Sequence, residues 1–151
     1  MPEPMAPMTA LAFDFGLKQI GVAYGQTLTN TAKGLSIVKA QDGVPQWPSI
    51  GVLLDQWKPS LVLVGLPLNM DGSESELSGR ARKFARRLEG RFGIQVKMVD
   101  ERLTSQEAKS LVREKAHNHR GRSDDLTKID HIAAALILQS WLDDQSLGRS
   151  I

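Results

Sequence analysis

The chain has 151 residues, a formal net charge of +2 and no cysteine. A single domain of that size buries roughly 68–70% of its unfolded surface, so it folds without staples. Disulfides, thiolate nucleophiles and cysteine-based zinc sites are excluded, which leaves oxygen and imidazole ligands as the available metal chemistry.

The opening MPEPMAPMTA has neither the lysines nor the apolar run of a signal peptide, and no stretch reaches the roughly 18 apolar residues of a membrane span. A soluble, cytoplasmic protein with no membrane partner is expected. Residues 1–7, proline-rich and without periodicity, predict a disordered lead; 8–145 form the single domain, and 146–151 a disordered tail.

TALAFDF (9–15) and IGVAYGQ (20–26) are apolar, strand-like runs joined by a short glycine-containing turn, and KGLSIVK (33–39) is a third strand of an antiparallel meander. From 48 to 57 apolar residues recur at helical spacing. Pro59 breaks that pattern, and LVLVG (61–65) is a strand apolar on both faces, as a parallel crossover requires. Ser73 and Glu76 make a capping-box pattern ahead of Leu77, Ala81, Phe84, Ala85, Leu88 and Phe92, which share one helical face until Gly93. This predicts a helix over 74–92.

IQVKMVD (94–100) alternates like a strand, and Thr104 with Glu107 opens another helix to about residue 115. AHNHRGRSDDL (116–126) predicts a mobile polar loop, and IAAALIL marks a central helix over 127–143. The order gives an α/β domain with a mixed five-stranded sheet, three antiparallel strands then two parallel, flanked by helices.

Charge is unevenly placed. Residues 80–122 hold 13 Lys/Arg against 5 Asp/Glu, a local +8 that leaves −6 elsewhere, and such segregation points to a polyanionic partner. Three acids stand where the chain changes direction: Asp14 ends the first strand, Glu101 follows the last, and Asp130 lies in the first turn of the final helix. Ligands of open α/β sheets bind beyond the carboxyl ends of the strands, so Asp14 and Glu101 can converge there, and Asp130 can join if its helix crosses that edge. Clustered carboxylates repel unless a cation neutralises them, and hard divalent ions prefer carboxylate oxygens. Each acid also has a plainer role open to it: Asp14 as a turn residue, Glu101 as a strand-end charge, and Asp130 as the partner of Thr127 in a capping box.

FDFGLKQIGVA (13–23), LVLVGLPLNMDGSE (61–74), RARKFARRL (80–88), VDERLT (99–104) and IDHIAAALIL (129–138), taken in this order, closely resemble the YqgF/RuvX family, Holliday-junction-resolvase-like proteins regarded as candidate pre-16S ribosomal RNA nucleases. The resemblance spans residues 9–143. It implies a ribonuclease H-like fold, a divalent metal (Mg²⁺ or Mn²⁺), no small-molecule cofactor, and catalytic, metal-holding acids at Asp14, Glu101 and Asp130. It also implies cytoplasmic location and a role at the 5′ end of pre-16S rRNA, on structured RNA or within a ribosomal particle. Members of the family often carry Lys-Arg in the first motif; here Lys18 is followed by Gln19, so one phosphate contact is in doubt and no metal ligand is.

Around these acids, Lys18 in the turn DFGLKQIG is either a phosphate contact or a solvated lysine, and Asn69 and Asp71 either contact substrate or merely shape a loop. Arg80, Lys83 and Arg87 share one helical face, with Arg82 and Arg86 in a second row; either row can grip a sugar-phosphate backbone or simply face solvent. Arg102 is assigned to the scissile phosphate in preference to buffering the acids. Arg120 and Arg122 make the polar loop a basic clamp, while His117 and His119 lack the further ligands of a metal site, and His131 reads as a helix-surface neighbour of Asp130. Trp47, Trp57 and Trp141 read as packing anchors.

Two rivals stand beside the RNA nuclease: a DNA-junction resolvase acting on branched DNA, for which the same acids serve, and a non-catalytic nucleic-acid or transcription-complex binder. DFGLKQIGVA also resembles the first phosphate loop of actin-like ATPases, but a single such domain lacks the duplicated half that completes an ATP cleft.

Overall fold

The computed structural model describes residues 7–103 and 123–151; the helix expected from Thr104 and most of the polar loop lie outside them. β1 (Thr9–Asp14) buries Leu11 and Phe13 on one face and Ala10 and Ala12 on the other, because it lies in the middle of the sheet. β2 (Gln19–Gln26) and β3 (Thr31–Gln41) extend it antiparallel, with a bulge at Val22/Ala23. On the other side β5 (Leu61–Leu66) pairs parallel with β1, and β6 (Val96–Asp100) parallel with β5. The two-faced reading of LVLVG holds, since every residue of β5 is buried.

The sheet has six strands, in the order β4-β3-β2-β1-β5-β6, where the sequence predicts five. The extra one, β4 (Val44–Pro45), folds back on Ala40 and Gln41. Two residues carry no alternation to detect, and a proline is tolerated there because β4 is an edge strand.

Helices α1 (Trp47–Trp57) and α2 (Glu76–Phe92) pack on one face of the sheet, where Ile50, Ala81, Phe84, Ala85 and Leu88 meet Leu11, Phe13, Val62 and Val64. The last helix, α3 (Ser123–Asp143), covers the opposite face, with Ala134, Ile137, Leu138 and Trp141 against Ala10, Ala12, Leu61, Leu63 and Val99. Each large apolar side chain buried in these layers stabilises the fold by roughly 1.5–3 kcal/mol relative to exposure.

Three predicted boundaries move. The N-cap of α2 is Ser75, whose Oγ accepts from the Ser78 N–H (3.3 Å) while Ser78 Oγ accepts from the Ser75 N–H (2.9 Å). Ser73 belongs to the preceding turn instead. Next, α3 begins at Ser123 rather than 127, so 123–126 are helical although SDDL has no apolar periodicity. Finally, the residues expected as a disordered tail are ordered: Gln145–Leu147 form a 3-10 turn capped by Asp144, and Arg149 exchanges two backbone hydrogen bonds with Met98 (2.8 and 2.7 Å). β6 is the other edge strand, and its unpaired backbone groups supply the partners that hold this segment.

Candidate functional site

The parallel registers set the site. Phe13 is level with Val64, and Gly65 and Leu66 are level with Val99 and Asp100. Asp14, one step beyond Phe13 and level with Gly65, and Glu101, one step beyond Asp100, therefore both leave the sheet at the carboxyl edge of the parallel strands, on the two sides of β5. Strand alternation gives all three the face covered by α3, because Ala10 and Ala12 precede Asp14, Leu61 and Leu63 precede Gly65, and Val99 precedes Glu101 in that core cluster. Glu101 reaches across β5: a methyl group on Gly65 would stand 2.6 Å from Glu101 Oε1 and 2.7 Å from Ile137 Cδ1. Only a residue without a side chain leaves room for that carboxylate.

The last helix carries position 130 on the same face of the sheet. Position 130 falls on the helical row of Ala134, Ile137, Leu138 and Trp141, one turn ahead of Ala134. The far end of α3 is fixed at the β2–β3 turn, where Asn30 Nδ2 donates to Asp143 Oδ1 (3.1 Å) and Ala32 N–H to Gln139 Oε1 (3.2 Å). Its other end therefore runs toward Asp14 and Glu101, position 130 lying about 10 Å along the axis from Ile137. Because α3 starts at Ser123, Asp130 is about two turns inside it and not in the first turn as expected. A helix-dipole or capping role fades beyond the first turn, so the plainer account of that acid loses its basis.

Among the described residues no group of three or more His, Cys, Asp or Glu side chains is placed to hold a metal ion. Asp14 and Glu101 are partly buried, and each has interaction partners. An all-carboxylate donor set fits Mg²⁺ or Mn²⁺ and not a thiolate- or imidazole-seeking ion.

Arg102 is engaged within the fold. Its Nε lies 3.2 and 3.1 Å from the two Asp100 oxygens, its Nη2 2.7 Å from Oδ2, and its backbone N–H donates to Asp100 Oδ1 (2.8 Å). Nη1 adds a bond to the Met70 carbonyl (3.3 Å), and Arg149 Nη2 stands 3.5 Å from the same carboxylate. Asp100 is 1% exposed. Burial pushes its carboxyl up, but the Arg102 hydrogen bonds and the two guanidinium charges outweigh this and hold it below the ordinary value. Arg102 thus pins the turn Glu101–Leu103 to the sheet end and to the 66–75 loop. Asp100 is the residue that the sequence reading missed; its signal was an acid at an apolar, inward position of an alternating strand.

Asn69 and Asp71 close their own turn. Asn69 Nδ2 donates to Ser73 Oγ (3.0 Å), and Asp71 Oδ1 accepts from the Ser73 hydroxyl (2.6 Å) and N–H (2.9 Å), which hold the Asp71 carboxyl below its ordinary value. Lys18 is exposed and borders a shallow pocket with Asp14 and Gly16.

Arg80, Lys83 and Arg87 do lie together, but on the α2 side of the sheet, opposite the acids. They line a cavity of about 300 Å³ beside Phe15 and Trp47. Arg80 Nη1 binds Asp42 Oδ1 (3.0 Å), whereas Lys83 and Arg87 make no ion pair among the described residues. Arg82 is engaged by Glu74 (2.6 Å). Arg120, Arg122, His117 and His119 lie outside the described residues, as does the side chain of His131. The tryptophans pack: Trp47 stacks on Phe84 (5.8 Å, 21°), Trp57 meets Tyr24 (4.4 Å) and Trp141 is buried.

Residues 8–144 match the RuvX family, described as Holliday junction resolvase. The chain is 55% identical over 135 residues to a protein of Hahella chejuensis, covering 89% of this chain and 84% of that one, and 51% identical over 140 residues to one of Pasteurella multocida, covering 93% and 98%. Both carry the name of a candidate pre-16S rRNA nuclease. Among solved structures, Thermus thermophilus RuvC bound to a Holliday junction superposes with a TM-score of 0.57 at 18% identity, over 93% of this chain and 98% of that one. The fowlpox virus resolvase bound to junction DNA gives 0.53 at 19%, over 91% and 99%. These likenesses show the ribonuclease H-like fold.

Proposed function

Since this chain belongs to the RuvX family, we propose that it is a metal-dependent nuclease whose substrate is structured RNA, with pre-16S rRNA the target, cut in the cytoplasm on the precursor or its ribosomal particle. The observation that carries the proposal is the reach of the Glu101 carboxylate over Gly65, at the strand edge and on the α3-covered face where β1 ends in Asp14. Asp14, Glu101 and Asp130 are the catalytic acids and would hold Mg²⁺ or Mn²⁺, which when bound lowers the pKa of water and stabilises the leaving oxygen of an in-line phosphodiester displacement.

The protein's own part is positioning and charge. Asp14 comes from a strand buried on both faces, so its backbone is fixed by the core. Glu101 is fixed by the Asp100–Arg102 pair on one side and by the space over Gly65 on the other. Lys18, at the exposed tip of the β1–β2 turn, supplies positive charge to the approaching strand. Arg120 and Arg122 remain assigned to substrate binding, and Arg102 to orienting Glu101 in place of touching phosphate.

Purified protein is tested on labelled small-subunit precursor RNA with Mg²⁺ or Mn²⁺, beside EDTA and Asp14→Asn. Cutting abolished by both controls is expected; RNA bound but uncut in every lane would sink the nuclease reading. The family's description favours branched DNA as a second substrate class, and a four-way junction in the same assay decides between them.

A further inference from the structure

We infer that the groove between α2 and the β3–β4 hairpin is a second binding site, which takes the phosphodiester backbone of a nucleic-acid segment flanking the one held at the acids; the inference rests on the nuclease reading above.

Arg80, Lys83 and Arg87 recur at three- and four-residue spacing beside the buried row Ala81, Phe84 and Leu88, so they line the rim of α2 and not its outer face. The opposite wall is the hairpin. Its Gly43 takes the left-handed conformation (φ 81°), and Asp42 anchors Arg80 through both its carboxylate (3.0 Å) and its carbonyl (3.3 Å). Arg80 is shared between two exposed acids, Asp42 (3.0 Å) and Glu76 (3.6 Å), while Lys83 and Arg87 make no ion pair among the described residues, and all three cations line a cavity of about 300 Å³ floored by buried phenylalanines. The positive excess left by Lys83 and Arg87 over a low-dielectric floor focuses the field on an incoming anion.

The ligand's chemistry follows from what the walls offer. Phe15 and Phe84 are 6% and 3% exposed, and Trp47 stacks on Phe84 with the Arg91 guanidinium 4.4 Å from its ring centre. Nothing there presents a free aromatic face to a base. The volume is at the low end for small-ligand pockets, roughly 300–1,000 Å³. The site therefore suits phosphate and sugar, read without regard to sequence.

Its place in the fold ties it to the acids. Phe15 directly follows Asp14, and the hairpin is bonded to the same turn through Gly43 N–H to Leu17 O (2.9 Å) and Ala40 N–H to Lys18 O (2.8 Å). A strand held at the acids reaches the groove by crossing the turn that carries Lys18. Substrate recognition is bipartite, with the sheet edge between the two parts.

The test measures binding of full-length protein to a labelled single-stranded oligoribonucleotide of about 20 residues, in EDTA, across a salt series. Lys83→Ala/Arg87→Ala should weaken binding tenfold or more at low salt, equally for oligo(A) and oligo(U). The slope of log K against log salt should shrink by about 1.4, at ~0.7 per phosphate released. Lys83→Arg/Arg87→Lys should restore both, which separates lost charge from a damaged helix. An unchanged slope in the alanine variant, or loss for one base composition alone, overturns the site. Asp14→Asn in the same series should keep the full slope while losing metal-dependent cutting. If Asp14→Asn abolishes cutting and the alanine slope is unchanged, the groove fails and the nuclease reading stands; if the slope shrinks and no protein cuts, the groove stands and the nuclease reading fails.

Discussion

The carboxylate of Glu101 fills the space that a side chain on Gly65 would need: a methyl there would lie 2.6 Å from Oε1 and 3.1 Å from Cγ. Gly65→Ala therefore forces Glu101 to move. Because Glu101 and Ile137 both meet that space with rotatable ends, the fold adjusts at the low end of the ~1–3 kcal/mol typical of overpacking. Metal-dependent cutting should fall at least about tenfold, since misplacing a reacting group by 1 Å costs up to about a hundredfold. Melting curves and initial rates taken together check this; an unaltered rate in a folded variant would show that Glu101 is not needed where it lies.

Asp100→Asn keeps the shape of the buried carboxylate and removes its charge from between Arg102 and Arg149. At neutral pH the variant should be less stable by about 1–3 kcal/mol, the scale of weakening hydrogen bonds to a charged group. The Asp100 carboxyl is held below its ordinary value in the folded state, so its contribution is present above the unfolded value near 3.9 and is lost as pH falls through the folded one. Urea unfolding at pH 7 and pH 2.5 should show a gap between native and variant proteins that narrows on the acid side. A gap that is constant or widens in acid contradicts the pairing.

Deleting residues 148–151 removes both Met98–Arg149 backbone bonds, the Arg149 charge beside Asp100 and the packing of Ile151 on the core. The shortened protein should unfold several degrees earlier, from about 1–3 kcal/mol lost, and should self-associate on warming because the β6 edge is bared. Light scattering during a thermal ramp reads both effects. Retention of the full melting temperature would mean that the segment contributes nothing.

Ser75→Ala should cost about 1 kcal/mol by removing the N-cap of α2. Ser73→Ala should spare the helix and instead loosen the Asn69–Asp71 turn, to which its hydroxyl is bonded. Helical content against temperature for the two variants distinguishes them, and the reverse ranking would restore Ser73 as the cap.

These cases also mark how far the chain could be read without coordinates. Elements carried by repeated burial were legible: LVLVG declares a central strand, and the spacing from Leu77 to Leu88 declares one helix face. β4 was not, because Val44–Pro45 is held by Ala40 and Gln41 and not by any local pattern. The α2 cap was misplaced because Ser73-x-x-Glu76 matches the capping-box pattern in letters, while Ser75-x-x-Ser78 makes the bonds. In the site, the strand-end positions of Asp14 and Glu101 were legible, since two parallel strands end there. The pairing of Arg102 was not, since its partner two residues back is fixed by a tight turn and by burial at a sheet edge. The ordered end of the chain was hidden for the same reason, its partners lying some fifty residues away at Met98.

The tryptophans are distributed so that two of them view opposite sides of the sheet: Trp47 borders the basic groove under Arg91, and Trp141, on α3, is buried against the opposite face, with its indole N–H lacking a hydrogen-bond partner among the described residues. Beside Trp57, the molecule thus carries two indole fluorophores in unlike surroundings. Emission from Trp47 should respond when the cation above it is drawn toward a phosphate, while Trp141 should emit as a blue-shifted, quencher-resistant reference. With Trp57 replaced by phenylalanine, colour and quenching would report separately on the two faces of one unlabelled protein.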